Sequence, residues 1–161
     1  MPRVLAPFLF LLTLTLGAQT PAPRLASSSE IEITLYSTQG HFDHEPYNVQ
    51  LTTTQLCVSR EGQRVGGAPQ AKTCHPSQPG LARKLAASML AAGFYKMPNR
   101  YPTRTVDGPY AMFTLSIDGV DKTVAIPMDA KGIPSQAAGW QATLKQLADK
   151  ALDESPTASH P

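Results

Sequence analysis

Between residues 39 and 46 the chain gathers His41, Asp43, His44 and Glu45, the densest group of metal-capable side chains in the sequence. On a turn, the His41 and His44 imidazoles could share one ion, with Asp43 as an oxygen ligand. That donor set suits zinc or copper outside a cell. The H-x-D-H spacing follows no specific metal rule, and the next imidazole along the chain is His75. Polar turns also collect His and Asp because these side chains bond to nearby backbone. A solvated turn is therefore the main expectation and an envelope metal site the alternative.

Other reactive types stand in weaker contexts. Ser77 lies two residues from His75, yet no G-x-S-x-G elbow surrounds it, so a helix cap is the expected role. Asp118 and Asp121 flank a hairpin tip and read as turn residues rather than as a carboxylate pair for glycoside cleavage. Gly62, Gly66 and Gly67 lack the G-K-S/T and strand-to-helix context of a phosphate loop. These patterns give an expectation of no enzyme activity and no cofactor.

Recognition is the chemistry to weigh next, against the plainer expectation that Tyr101 and Tyr110 pack at the edge of the sheet and the arginines are solvated. Segment 99–110, NRYPTRTVDGPY, combines Tyr101, Arg104 and Tyr110, residue types that dominate interface energies. Tyr95 and Arg100 stand close by. The chain's two cysteines, Cys57 and Cys74, are expected to form a disulfide bracing the loop 60–80. A rigid loop loses less entropy on binding, which is the design principle of secreted protease inhibitors.

The oxidising compartment that such a bond needs is itself written at the start of the chain. Arg3 precedes an apolar run, Val4 to Leu16, interrupted by Pro7, Thr13 and Thr15 and followed by the small pair Gly17-Ala18. This reads as a signal peptide over residues 1–18, giving a periplasmic or secreted protein. The run is too short for an ordinary spanning helix of about 20 apolar residues, so no membrane span is expected after cleavage. Removing Arg3 takes one of the 14 basic groups against 12 acidic ones, for a net charge of about +1. With Lys and Arg scattered, no nucleic-acid partner is expected. An exported protein is the expected partner class.

The elements that must carry these residues follow from periodicity. Residues 19–29 have no hydrophobic period and read as a flexible linker. In residues 30–37 Ile31, Ile33 and Leu35 alternate with polar residues, the pattern of a strand with one buried face. In YNVQLTTTQLCVS, Tyr47, Val49 and Leu51 share a face, and the threonines continue with high strand propensity. A turn at residues 60–62 leads to QRVGG and then to an irregular loop holding Cys74. A first helix is expected from the Ser77 cap, with Leu81, Leu85, Met89 and Ala92 at helical spacing. Gly93 ends it, and Phe94 folds back on its last turn. YAMFTLSI and VDKTVAI, joined by Asp118-Gly119, form a hairpin. A second helix over about 136–152 carries Ala137, Trp140, Leu144, Leu147 and Ala151 as its apolar stripe. Residues 153–161 read as a disordered tail. Residues 30–152 thus form one α+β domain, an antiparallel sheet of two hairpins with two helices packed on one face.

This order resembles a family of small exported bacterial domains of unknown function. The residues that carry the resemblance are Pro46 and Tyr47, adjacent here, for a turn ending in a Pro-x-Tyr pattern, Gly62 in the first hairpin, and Ala92-Gly93-Phe94-Tyr95 at a helix end. FTLSIDGVDKTVAI and the helix around Leu144 and Leu147 complete the match over about residues 30–152. The resemblance implies the architecture and no activity. It also implies a cysteine pair in the turn before Pro-x-Tyr. This chain has GHFDHEP there, so no role of those cysteines passes to Cys57 and Cys74.

Overall fold

The computed structural model describes residues 21–38, 46–60, 72–105 and 108–153. The expected signal peptide, the His41 segment, the 61–71 stretch and the tail lie outside them. Six strands, β1 (Ile31–Thr38), β2 (Tyr47–Thr52), β3 (Gln55–Arg60), β4 (Thr73–Pro76), β5 (Tyr110–Ile117) and β6 (Val120–Pro127), form one sheet in the order β4-β3-β2-β1-β5-β6. All named neighbours pair antiparallel. With helices α1 (Leu81–Ala91) and α2 (Ser135–Asp153), the class is α+β, and the sheet is wider than two hairpins would make it.

Strand alternation sets the core. In β1 every second residue is buried, and Ile33, Leu35 and Ser37 stand opposite Leu51, Val49 and Tyr47 of β2. On its other side Ile31, Ile33 and Leu35 face Ile117, Leu115 and Phe113 of β5. Because side chains alternate along a strand, this register puts the buried apolar groups on one face and leaves Tyr36 and Met112, paired with each other, on the opposite one. Ala82, Leu85, Ala86 and Met89 of α1 join the same core, as do Ala137, Trp140, Leu144, Ala148 and Ala151 of α2. The buried stripe of α2 runs through Ala148, with Leu147 half-buried at its edge.

Three local expectations are corrected. The threonine-rich run is two strands, because the Thr52 hydroxyl accepts hydrogen bonds from the N–H of Gln55 at 3.0 Å and of Thr54 at 3.3 Å and turns the chain. The stretch around Cys74 is not irregular throughout: Thr73–Pro76 pairs with β3, and Cys57 stands directly opposite Cys74. Helix α1 starts at Leu81, not at a Ser77 cap. Its N-cap is Gly80, at φ 76°, and Lys84 N–H donates to the Gly80 carbonyl at 2.9 Å.

The expected end of α1 and the expected tight hairpin are both present. Gly93 follows the helix at φ 76°, a region open to glycine, and its N–H donates to Leu90 O at 2.9 Å. Phe94 is then fully buried. At the β5–β6 tip Asp118 (φ 51°) and Gly119 (φ 76°) supply the two positive φ values of a type I′ turn. The Asp118 carboxylate also accepts from Ser29 Oγ and Glu30 N–H, each at 2.8 Å. Together with Arg83, whose guanidinium donates to the carbonyls of Ala26 and Ser27, it ties residues 26–30 to the domain.

Candidate functional site

The three residues expected to bind do not form one surface. Tyr101 is 8% exposed and belongs to the core. Its N–H donates to Ala125 O at 3.0 Å, and Ala125 N–H donates to Asn99 O at 2.8 Å. Residues 99–101 therefore extend the sheet along the edge of β6 and turn Tyr101 inward. Burial also pushes its phenol above the ordinary value. Tyr110 is half-buried, with its ring 6.2 Å from that of Tyr36. Of the three, Arg104 is exposed.

Arg104 sits on a braced segment. Asp129, just beyond β6, accepts from Thr103 Oγ1 at 2.5 Å, Thr105 Oγ1 at 2.9 Å and Arg104 N–H at 3.0 Å. One carboxylate thus holds three consecutive residues of another loop. These bonds, Thr103 first and Thr105 next, hold the Asp129 carboxyl down to about 2 from its ordinary 3.8. The folded value is depressed, so the latch contributes fully above about pH 4 and is lost as pH falls through about 2. An NMR titration should place the Asp129 midpoint near 2, and Asp129→Ala should speed hydrogen exchange at the Arg104 amide with little change in Tm. An ordinary midpoint and unchanged exchange would show that Asp129 does not brace the loop.

The turn that carries Asp129 also presents Met128, which at 63% exposure is the one large exposed apolar side chain among the described residues. Its backbone is fixed: Met128 N–H donates to Pro109 O at 2.9 Å, and Ala130 N–H to Pro127 O at 3.1 Å. The Arg104 backbone is thus tied to Asp129, the residue that follows Met128 in the chain. The sequence marked Arg104 by type but gave no reason to join it to Met128 or Asp129. A lone apolar residue in the polar stretch PMDAKG was the available signal.

The other reactive side chains make the following contacts. The Nε2 of His75, on β4, lies 3.1 Å from Ala151 O at the end of α2, so this nitrogen donates and ties strand to helix. Ser77 Oγ is buried without a hydrogen-bond partner, and its N–H donates to Thr54 O at 2.9 Å. No contact links it to His75 as a nucleophile to a base. Asp118 braces residues 29–30, as described. Tyr95 donates its hydroxyl to Val120 O at 2.7 Å, and burial, followed by the nearby Asp121 carboxylate, pushes it up to about 12.

Cys57 and Cys74 form a disulfide linking β3 to β4. His41, Asp43 and His44 lie outside the described residues, and among those described no group of three His, Cys, Asp or Glu side chains could hold a metal. No helix among them is long and apolar enough to cross a membrane. A scan of family models finds no match to this chain, and no curated protein matches it.

Proposed function

We propose that the protein is an exported, non-catalytic binding module of the cell envelope or medium, a small domain of the kind its sequence resembles. Inhibition of an exported enzyme is the specific version we favour. In this reading the two helices cover one sheet face, and recognition is carried by the loops at one end of β6. The observation that carries it is the exposed Arg104, whose N–H is held by Asp129, with the exposed Met128 next in chain to that carboxylate and itself pinned to Pro109. A segment already ordered before contact loses less entropy on binding. Arginine with a neighbouring apolar anchor is the residue chemistry that concentrates interface energy. The leader-like residues 1–18 and the Cys57–Cys74 bond both suit an oxidising compartment.

The test is capture. Immobilised mature protein should retain a partner from the envelope and medium of its own host, and Arg104→Glu should release that partner while leaving Tm within about 3 °C. Exposed substitutions away from special backbone shift stability by about 0.5 kcal/mol or less, which separates lost recognition from lost folding. Full retention by the variant would refute the reading. Tyr101 is unsuitable for this test, since its replacement opens the core.

A further inference from the structure

We infer that the groove between the end of β6 and the start of α2 docks a partner segment in which bulky aliphatic residues are flanked by acidic ones. This rests on the binding-module reading and names the chemistry of its partner. The groove has a volume of about 380 Å³. Its floor is apolar and buried, formed by Phe113, Ile126 and Ala137, and its rim carries Met128, Ile133 and Pro134. A methionine held in solvent by a pinned turn gives an adaptable wall for an apolar side chain, because its unbranched thioether repacks easily.

Charge chooses the occupant. Arg104 and Lys131 are both exposed, on the segments that flank Met128 rather than in the groove lining itself, and neither side chain has an ionic or hydrogen-bonding partner among the described residues. Arg104 N–H is bound to Asp129, next to Met128, and Lys131 lies two residues before Ile133. Among the described residues the acid nearest this rim, Asp129, already accepts from Thr103, Thr105 and Arg104 N–H. The first turn of α2, which closes the groove, carries no acidic residue. Among the described residues the segments flanking the apolar floor thus offer two unpaired cations and one engaged carboxylate, a balance that complements an acidic, aliphatic segment. A second copy of the chain fits poorly, since a two-fold contact through this groove would bring Arg104 and Lys131 of each copy against their own kind.

The experiment uses fluorescence anisotropy with a labelled peptide, Asp-Glu-Leu-Leu-Glu-Asp, on the disulfide-bonded mature protein. Saturable binding is expected that weakens as salt rises. It should fall about ten-fold or more in Arg104→Glu/Lys131→Glu, as two attractions become repulsions. Met128→Glu, at an exposed position, should abolish it with Tm unchanged. Peptides with Lys for the acids, or Ser for the leucines, should not bind.

No saturable binding of the acidic peptide, equal binding of the basic one, or indifference to Met128→Glu would overturn the inference. So would retention on phosphatidylglycerol vesicles without peptide binding, which would make the site a lipid surface. The captured partner separates the two levels. If Arg104→Glu releases it but Met128→Glu and excess peptide do not, the module reading stands and the groove assignment fails. If no host partner is ever captured while the peptide binds through Met128, the groove assignment stands and the module reading lacks its partner.

Discussion

Trp140→Ala lowers the stability of the domain by about 3–5 kcal/mol, the usual cost of emptying a large aromatic site. The indole is 2% exposed and lies edge-on to Phe94 at 6.0 Å and Phe113 at 6.1 Å between ring centroids. These partners come from the turn after α1 and from β5, so one side chain of α2 binds three parts of the core. Its Nε1–H donates to Ser88 Oγ of α1 at 3.1 Å, which satisfies the single polar atom of the buried ring. Alanine removes the ring, both edge contacts and the hydrogen bond. Against a total of about 5–15 kcal/mol for a domain, the loss is a large fraction. The expected fall in Tm is about 10–20 °C. Trp140→Phe should cost much less, because it keeps one edge contact and most of the buried area. Equal losses for the two variants would mean that packing of the six-membered ring contributes nothing. The groove of α2 opens beside Ala137 and Gln141, so the alanine variant should also weaken any ligand held there.

What the sequence revealed and what it hid follow from the range of the forces. Alternation in β1 and β5 and the Asp118-Gly119 tip were legible because each depends on neighbours along the chain. The break between β2 and β3 was not, since it is made by a Thr52 hydroxyl in a run of residues that all favour strands. β4 was hidden for another reason: four residues, one of them proline, carry no period, and the strand exists through its partner, its disulfide and the His75 tie to α2. Ser77 has the type of a cap, but Gly80 at positive φ starts the helix. The site shows the same division. Arg104 was readable as an exposed cation and Tyr101 as a residue that packs at the sheet edge, whereas the partner that turns Tyr101 inward, Ala125, is distant in sequence. The Asp129 latch joins residues 24 to 26 positions apart and leaves no local trace.

Loss of the Cys57–Cys74 bond lowers stability by about 3 kcal/mol, because the bond closes a loop with a sequence separation of 17 and removes that much freedom from the unfolded chain. The effect is also local. β4 is a four-residue edge strand, held on one side by β3 and tied to α2 through His75. Its short ladder gives it the least backbone support of any strand in the sheet, so its opening free energy should drop furthest. Cys57→Ser/Cys74→Ser should therefore lower the denaturation midpoint and raise hydrogen exchange in residues 73–76 more than in β1 or β5. An unchanged midpoint would mean that the unfolded chain is not restrained by the bond, and uniform exchange would mean that β4 is not a separate opening unit. Cys74 is exposed whereas Cys57 is buried, so a reductant can reach the bond from one side while the sheet stays folded. A reducing cytoplasm would then leave the domain with a loosened edge, and an oxidising compartment would keep it closed. Stability of the edge and the proposed export are linked through this bond, while the Met128 groove lies at the opposite end of the strand order, past β6. Peptide binding there should survive the double serine variant, and its loss would show that the two ends of the sheet are coupled.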